Sequence, residues 1–525
     1  MKKTLAMFLA ISIVLMTSSF GLAEEKPSTW LVDEKATLKV TTYDAVNNSY
    51  PTIDSDLPFW KWLEEYTNVH VEFEAHAYAD YPTVVSTKMA SGDLNCDIIV
   101  TNGVATANDA GKNGLLADAA PYLEACWPNI TKFNNEENPS LMQFIKNDDG
   151  SIYCISGLVE PRVGHIIYMY NTEWMEKLGL EIPTTTEEFY NVCAAMKQAG
   201  DLNGNGKDDE IVLTASGLDA LDILGNSFGL EIYEDWDAFV ADENGTVTDE
   251  YTSPEMREFL KFTNKLYKDG LLDQGITNTS ANEMSEKIAS DQVGIFVYYS
   301  AFAITYGSLT TAGQADPMGC HYTLGVPLTG PNGDRYLVRR EKSDMAAGVA
   351  ASSQNVELAL KWIDTLYADP TVLHTRTYGF EGEDWKYGAD GGYELIYAED
   401  GSPWSIVQKG CGQIAFPFIQ TEAQLMNSKK QYDWYMNQYA VLTDEKNDYF
   451  IAPTVPHVAA YTEEEQNLID MVKTDCVSYF KEMRAKFVTG EANLDSDWDS
   501  YVSTMKSMGL DDFTAVYQSV YDRTR

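Results

Sequence analysis

Residues 166–189, IIYMYNTEWMEKLGLEIPTTTEEF, give the clearest evidence of the fold class. The first five residues, all apolar or aromatic, predict a buried strand. Residues 172–178 then predict a helix that ends at Gly179, because glycine commonly terminates helices. Thr185 and Glu188 form a capping box, which predicts the start of a second helix. A strand followed closely by helices is typical of a layered α/β fold.

The same alternation runs along most of the chain in both directions from this stretch. Short apolar or alternating runs predict strands, and apolar residues at helical spacing predict helices. The predicted strands are residues 36–40, 69–73, 97–100 and 294–298, and the predicted helices are residues 59–66, 81–90, 256–267, 357–367 and much of 461–525. We therefore predict an α/β fold with a helical C-terminal region.

Length and charge narrow the class of protein. At 525 residues the chain exceeds one average domain, which predicts two or more compact units. Hydrophobic residues form 44% and charged residues 22% of the sequence, which is a globular composition and not that of a disordered chain. The formal net charge of −43 repels phosphate backbones, so we expect no nucleic-acid partner.

The N-terminus has the features of an export signal. A pair of lysines precedes an apolar run at residues 5–16, and a small-x-small site ends at Ala23. We expect residues 1–23 to be a cleaved signal peptide and residues 24–35 a short tether. No later stretch of about 18 apolar residues predicts a membrane span. The mature protein is therefore expected to be exported, to the periplasm or the cell surface.

Seven cysteines are spread along the chain without a Cys-x-x-Cys pair. Buried free thiols are favoured, because free cysteine behaves as a small hydrophobic residue, and one or two disulfide bonds are the alternative. The first cysteine is Cys96, so the expected cleavage site has no lipobox cysteine that could carry a lipid anchor. The six histidines are scattered singly and do not supply the clustered ligands that zinc requires.

The most specific chemical signal is the acidic loop DLNGNGKDDE at residues 201–210. Oxygen-bearing side chains at its first, third and fifth positions, a glycine at the sixth and acids at the ninth and tenth can surround a hard cation. The loop departs from an EF-hand at Val212, where that motif has glutamate, and in the strand-like residues 211–213. We expect a structural calcium ion here, and the alternative is an Asx-rich turn without an ion.

Aromatic residues give the second functional signal, since no nucleophile, zinc-protease or phosphate-loop motif appears in the sequence. Several rings fall at predicted strand ends or in polar loops, where ligand contacts concentrate in α/β proteins. Aromatic rings stack on sugar faces while carboxylates bind hydroxyl groups, which suggests a sugar site. Core packing is the alternative for any single ring. The candidates are Tyr43, Asp44, Trp236, Tyr298, Tyr299, Trp385, Tyr387, Trp404, Phe416 and Phe418.

A cluster of basic residues is compatible with either a neutral or an acidic sugar. Arg335, Arg339, Arg340 and Lys342 lie close together in the sequence. Arginine binds carboxylates bidentately, so Arg339 is a candidate for holding a uronate. The alternative is a solvated charge run that balances the neighbouring acids. A neutral or mildly charged oligosaccharide is the favoured ligand, because the strongly negative chain gives no long-range attraction to polyanions.

Several of these segments together resemble a known family. Residues 170–180, YNTEWMEKLGL, residues 183–189, PTTTEEF, and residues 327–333, PLTGPNG, are similar to motifs of extracellular solute-binding protein family 1. These are the substrate-binding proteins of ABC importers for sugars and oligosaccharides. The acidic loop resembles the calcium loop of the long alginate- and aldouronate-type members. That resemblance implies as calcium ligands Asp201, Asn203, Asn205, the carbonyl of Lys207, Asp209 and Glu210.

The resemblance implies a type II-like periplasmic-binding-protein fold of two α/β lobes joined by crossing hinge strands. The ligand would lie between the lobes, and hinge closure would present it to an ABC permease, so the protein would be a monomer and not an enzyme. We expect lobe I to comprise residues 36–155 and 300–345. We expect lobe II to comprise residues 160–298 and 346–525, with the acidic loop inside it.

Two other classes stay open at this point. An exported polysaccharide hydrolase or lyase would need a carboxylate pair, which 80 acidic residues supply by chance. A calcium-stabilised adhesion or scaffold protein would need only the acidic loop. Within the binding-protein class, a peptide is the alternative ligand.

Overall fold

The chain forms two α/β lobes, each with its own hydrophobic core, in this computed structural model. The structure describes residues 27–44, 52–77, 80–136, 140–147, 149–159, 166–233, 237–299, 321–338, 345–388, 393–396, 410, 416, 419–420, 449–451, 453–455 and 461–524. The expected signal peptide lies outside these residues. Within them, no helix is long and apolar enough to cross a bilayer.

Lobe I is built on a five-stranded sheet in the order β2-β1-β3-β13-β4. Strands β1, β2 and β3 are parallel, whereas β13 runs antiparallel between β3 and β4. The central strands are buried on both faces because helices cover the sheet. The strands are β1 Ala36–Asp44, β2 Val69–Ala77, β3 Ile98–Thr101, β4 Ile155–Ser156 and β13 Ala346–Val349.

The helices of lobe I follow the strands and end at recognisable caps. For example, the second helix ends where Gly92 adopts a left-handed backbone (φ 70°), as a helix-terminating glycine does. The helices are α1 Pro58–Thr67, α2 Tyr81–Ser91, α3 Val104–Lys112, α4 Leu123–Cys126, α5 Pro128–Glu136, α6 Ser140–Ile145, α12 Val356–Ala368 and α13 Pro370–Tyr378. A hairpin of β14 Trp385–Tyr387 and β15 Tyr393–Leu395 follows them.

Lobe II is built on a four-stranded sheet in the order β11-β6-β10-β7. Strand β6 is antiparallel to β10 and β11, and β7 is parallel to β10. All six residues of β6 are buried, in keeping with its uninterrupted apolar and aromatic sequence. The strands are β6 Ile166–Asn171, β7 Ile211–Ala215, β10 Val293–Tyr299 and β11 Tyr322–Leu324, with a separate hairpin of β8 Phe239–Ala241 and β9 Val247–Asp249.

The helices of lobe II include the predicted capped helix and the C-terminal region. Thr185 accepts the Glu188 N–H at the start of α8, and Thr462 and Glu465 form a capping box at the start of α14. The helices are α7 Thr172–Leu178, α8 Thr186–Ala199, α9 Asp222–Asn226, α10 Pro254–Lys268, α11 Ala281–Ala289, α14 Glu463–Thr489, α15 Trp498–Ser507 and α16 Leu510–Thr524. The predicted strands and helices are therefore confirmed to within a few residues.

Along the described residues, the chain changes from one core to the other three times, between residues 159 and 166, between 338 and 345, and between 420 and 449, and we call these changes the three crossings. Short parallel strand pairs flank these crossings. On the lobe I side, β5 Leu158–Val159 pairs with β16 Ile419–Gln420. On the lobe II side, β12 Leu337–Val338 pairs with β17 Phe450–Ile451. The strand before the third crossing thus pairs with the strand before the first crossing, and the strand after it pairs with the strand before the second crossing.

The expected division of the chain between the lobes is wrong for two segments. Residues 322–338 pack in the core of lobe II, because β11 pairs with β6. Residues 346–372 and Phe416 pack in the core of lobe I, because β13 completes its sheet. The sequence analysis assigned each segment to the other lobe. Pairing between strands that are far apart in the sequence leaves no local signal from which the lobe can be predicted.

The five described cysteines are free and buried, which agrees with the favoured interpretation for these five. They are Cys96, Cys126, Cys154, Cys193 and Cys476. Cys320 and Cys411 lie outside the described residues.

Candidate functional site

One edge of the lobe I sheet lies at the crossings. The register places Ala346, the first residue of β13, opposite Thr101 at the carboxyl end of β3 and opposite Ser156 at the end of β4. The Gly157 N–H donates to the Met345 carbonyl (3.1 Å), which joins the first two crossings there. The carboxyl ends of β1 and β3 therefore lie where the chain leaves lobe I for lobe II.

One edge of the lobe II sheet lies at the crossings as well. Ile166, the first residue of β6 after the first crossing, pairs with Tyr299 at the carboxyl end of β10. Ala215 at the carboxyl end of β7 pairs with Val297 on the same strand. The carboxyl edges of both sheets thus border the crossings. We call the region between these edges the candidate cleft, and the edges its walls, because ligands bind beyond the carboxyl ends of the strands in open α/β sheets.

Tyr43 and Asp44 lie on the lobe I wall at the end of β1. The Tyr43 ring is half-buried and tilted against Tyr81, with ring centroids 5.5 Å apart. Its hydroxyl contacts the sulfur of Met345, at the end of the second crossing. Asp44 is 5% exposed. Tyr81 is itself held by its hydroxyl, which donates to the carbonyls of Thr41 and Val100. The end of β1 therefore carries a half-buried ring at Tyr43 and a buried carboxylate at Asp44.

Tyr298 and Tyr299 lie on the lobe II wall at the end of β10. Their rings are half-buried and meet edge to face, with centroids 5.1 Å apart. Both pack against the lobe II core. Tyr43, Asp44, Tyr298 and Tyr299 therefore lie at the sheet edges that border the crossings, and their role in ligand binding stays a prediction.

Three other predicted residues lie on lobe I away from these strand ends. Phe416 is 3% exposed and packs edge to face on Trp362 in the lobe I core, so it is not available for sugar stacking. Trp385 is buried by His374, and its indole N–H donates to the Gly379 carbonyl (3.2 Å). Tyr387, on the same hairpin, is 58% exposed. Trp236, Arg339, Trp404, Phe418, Arg340 and Lys342 lie outside the described residues.

Arg335 of the basic cluster has a local role beside the second crossing. Its Nε donates to the Pro327 carbonyl (2.8 Å), and its guanidinium lies over the ring of Tyr449, 4.7 Å from the centroid. The Leu337 N–H donates to the Tyr449 carbonyl as well (2.7 Å). Arg335 therefore joins Tyr449, which follows the third crossing, to the segment that precedes the second crossing.

Two cleft segments were missed by the sequence analysis. Residues 101–103 follow β3, where the Thr101 hydroxyl donates to the Gly103 and Ala346 carbonyls. Residues 216–218 follow β7 and lead into a 3₁₀ turn, Asp219–Leu221, that packs beside β10. The rule that ligands bind beyond the carboxyl ends of parallel strands would have selected both segments, had polar and small residues been considered along with rings.

The acidic loop is closed by its own side chains. Asn203 Oδ1 accepts the Asn205 N–H (3.0 Å), Asn205 Oδ1 accepts the Lys207 N–H (2.8 Å), and Asp201 Oδ2 accepts the Gly206 N–H (3.0 Å). Gly206 has a φ of 80°, which only glycine adopts without strain. The pKa of Asp209 lies below its usual range, because its carboxylate accepts hydrogen bonds from the Asn205 and Gln292 amides.

Glu210 has one carboxylate oxygen that is available to a cation. One carboxylate oxygen accepts the Leu202 N–H (2.8 Å), whereas the other is buried with no hydrogen-bond partner in the structure. An unpaired buried carboxylate oxygen is costly, and a bound calcium ion would satisfy it. Within the described residues, no group of three or more His, Cys, Asp or Glu side chains is arranged as a metal site. Amide and main-chain oxygens of the loop would have to complete the coordination.

The acidic loop lies at the opposite end of the lobe II sheet from the cleft. It leads directly into β7, and Ile211 at the start of that strand pairs with Val293 at the start of β10. The length of β7, about 15 Å, separates it from the cleft edge. A polar pocket of about 440 Å³ near the loop, lined by residues including Asn278, Lys287 and Gln292, is likewise distinct from the cleft.

Comparison with known proteins decides the family. The model of the family described as bacterial extracellular solute-binding protein matches residues 51–372, more than half of the chain. The chain belongs to this family. This solute-binding protein is 24% identical over 522 residues to the fructooligosaccharide ABC transporter substrate-binding protein FusA of Streptococcus pneumoniae, covering 94% of this chain and 92% of FusA. It is 22% identical over 479 residues to the lipoprotein LipO of Bacillus subtilis, covering 88% of this chain and 89% of LipO.

Solved structures share its two-lobe fold. FusA in complex with kestose has a TM-score of 0.75 and 22% identity, with 93% of this chain and 99% of FusA covered. The alginate-binding protein AlgQ2 without calcium ion also has a TM-score of 0.75 and 22% identity, with 95% of this chain and 100% of AlgQ2 covered. The predicted fold of the solute-binding protein is thereby confirmed.

Proposed function

We propose that this solute-binding protein captures an oligosaccharide between its lobes and delivers it to the permease of an ABC importer. The observation that carries the proposal is the meeting of the two carboxyl sheet edges at the crossings, each with tyrosine rings. Full-length similarity to FusA, a fructooligosaccharide-binding protein, supports the sugar class. Closure of the lobes would sandwich a sugar ring between Tyr43 and Asp44 on one side and Tyr298 and Tyr299 on the other.

The mechanism needs no bond to be made or broken. Ligand that contacts both walls binds the closed form better than the open form and therefore shifts the population toward closure. The permease would recognise the closed form. We expect the protein to act as an exported monomer, which size-exclusion chromatography with light scattering checks.

The charge of the sugar is left to experiment. FusA is a fructooligosaccharide-binding protein and AlgQ2 is an alginate-binding protein, so proteins with this fold bind different sugars. A neutral sugar is the proposed ligand, because Arg335 is engaged by Pro327 and Tyr449.

One structural calcium ion in the acidic loop is the proposed cofactor. The ligands would be Asp201, Asn203, Asn205, the Lys207 carbonyl, Asp209 and Glu210, of which Glu210 would supply its unpaired buried oxygen. The structures of a FusA EF-hand mutant and of AlgQ2 without calcium ion support a loop of this kind in these similar proteins. The ion would hold the loop and the start of β7 and would have no part in sugar binding.

A single experiment separates the proposed function from the two alternatives. The protein is incubated with kestose, alginate oligosaccharides and a mannose-rich N-glycan, while its Tm is followed and the sugars are analysed afterwards. A binding protein returns one sugar intact and shows a raised Tm, because ligand stabilises only the folded state. An enzyme shortens the sugar, and a scaffold protein shows neither effect.

A further inference from the structure

A buried ion cluster joins the C-terminal helix α14 to the cleft wall of lobe II. Arg484 is 5% exposed, and its guanidinium donates to Asp222 Oδ1 (2.9 Å) and to the Asp219 carboxylate. Asp222 is 4% exposed. Lys481, one turn before Arg484, also binds Asp219 (2.9 Å). Two basic residues of one helix therefore hold two acids that begin the 3₁₀ turn and helix α9.

The position of the two acids in the fold connects this cluster to the cleft. Asp219 and Asp222 follow the carboxyl end of β7 by a few residues, and their turn packs beside β10, which ends in Tyr298 and Tyr299. The backbone of this segment is not held by a long helix or strand of its own, since α9 has only five residues. The segment at residues 216–226 is held by buried apolar side chains such as Leu221 and Leu224 and, in addition, by the ion cluster.

Energetics argue that the cluster serves geometry more than stability. Removing charges from water costs several kcal/mol per ion, so a buried ion pair is often no more stabilising than well-packed apolar residues of the same size. Apolar residues at these positions would hold the turn with less directional constraint. The fork of a guanidinium, in contrast, fixes the positions of the carboxylates it binds.

We propose that Arg484 is a positioning residue for the sugar site, which acts through Asp219 and Asp222 to hold residues 216–226 against the wall that carries Tyr298 and Tyr299. The inference rests on the proposed function of sugar capture. According to this inference, Arg484 increases the affinity for the sugar, although it lies in helix α14, far in sequence from the residues at the sheet edges.

The test is the double variant Arg484→Met with Asp222→Asn, which removes both buried charges together and leaves Asp219 paired with Lys481. We expect affinity for whichever of kestose, an alginate trisaccharide and Man5GlcNAc binds the native protein to fall at least tenfold. Amide hydrogen exchange should speed up at least tenfold across residues 216–226 and stay unchanged in the strands of lobe I. Arg484→Lys, which keeps the charge but loses the fork, should give an intermediate affinity.

The matched control is Arg257→Met. Arg257 also joins a lobe II helix to the C-terminal region, through the Leu494 carbonyl (3.0 Å) and Asp495, but it does not touch the cleft segment. The Arg257→Met variant should have a lower Tm than the native protein and a sugar affinity within twofold of the native value. Native affinity in the double variant, or unchanged exchange at residues 216–226, overturns the inference.

Two further outcomes are also decisive. If the double variant does not fold, Arg484→Lys and Asp219→Asn are compared with the native protein by the same two measurements and the same criteria. If the native protein binds none of the three sugars, sugar capture fails for these classes. The exchange measurement then decides by itself whether Arg484 holds the segment.

Discussion

The two lobes have one architecture but bury different kinds of side chain. Among the described residues, lobe II contains most of the buried Asp, Glu and Arg side chains, whereas lobe I contains few of them. In lobe II these are Glu210, Asp222, Glu231, Asp237, Glu250, Asp273 and Arg484, compared with Asp44, Asp364 and Arg376 in lobe I. We therefore expect pH and cations to affect the stability of lobe II more than that of lobe I, while both lobes contribute to the proposed ligand binding.

The largest expected effect is on the pH dependence of lobe II and concerns Glu250. Burial raises the pKa of Glu250 to about 8, and one of its carboxylate oxygens has no hydrogen-bond partner in the structure. Because the unfolded chain releases this proton near pH 4.5, the contribution of Glu250 to stability falls as pH rises from 4.5 to 8. Glu250→Gln should therefore stabilise the protein above pH 8 by about 5 kcal/mol.

The measurement is Tm against pH for the native protein and Glu250→Gln, with calcium present. The two curves should coincide near pH 4 and separate up to pH 8. Asp364→Asn is the matched change in lobe I, where burial raises the pKa of Asp364 to about 6, so its curve should separate only between pH 4 and 6. If the Tm of Glu250→Gln and the Tm of the native protein differ by the same amount at every pH, the expected difference in pH dependence between the lobes is wrong.

Removal of calcium should give the next largest effect and should also act on lobe II. An ion that binds only the folded protein contributes about 2.7 kcal/mol at a hundredfold excess over its dissociation constant. Chelation should lower Tm, and calorimetry should assign the loss to one of two unfolding transitions. Sugar affinity below that transition should not change, because the acidic loop lies at the far end of the sheet. A metal analysis that finds no calcium contradicts this prediction.

Substitution of cleft rings should affect both lobes alike. Tyr43→Ala in lobe I and Tyr299→Ala in lobe II should each weaken sugar binding by about 1–3 kcal/mol if both rings contact the ligand. Tm without sugar should change less than in the calcium experiment. Phe416→Ala is the contrasting variant: it should lower Tm through the lobe I core and leave affinity unchanged. Isothermal titration and thermal unfolding of the same samples check all three.

The smallest effect is expected from the basic cluster. On the neutral-sugar proposal, Arg339→Ala should cost little, and affinity should vary less than about twofold between low and moderate ionic strength. Titrations at the two salt concentrations measure this directly. A complete loss of binding in the variant, or a steep fall with salt, would show that the sugar is acidic.

The parts of the molecule that were predictable are those whose signals are local. The strand and helices of residues 166–189 and the acidic loop depend on neighbours within a few residues, so periodicity and caps identify them. The exchange of residues 322–338 and 346–372 between lobes could not be predicted, because both contain plausible short strands and only long-range pairing decides their sheet. Phe416 was misplaced for the same reason: its partner Trp362 is more than 50 residues away in the sequence. The ion cluster of Arg484 likewise joins residues that the sequence separates by about 260 positions.

The position of β13 in lobe I has a consequence for the order of folding. This strand fills the centre of the sheet between β3 and β4, yet it is synthesised about 190 residues after β4. All four strands of the lobe II sheet are made in the interval. Although most of lobe I is synthesised first, its sheet is therefore completed after the sheet of lobe II. Until β13 is synthesised, β3 and β4 have unpaired edges to which strands of other chains can bind. A fragment that ends before residue 346 should aggregate rather than fold as an isolated N-terminal lobe.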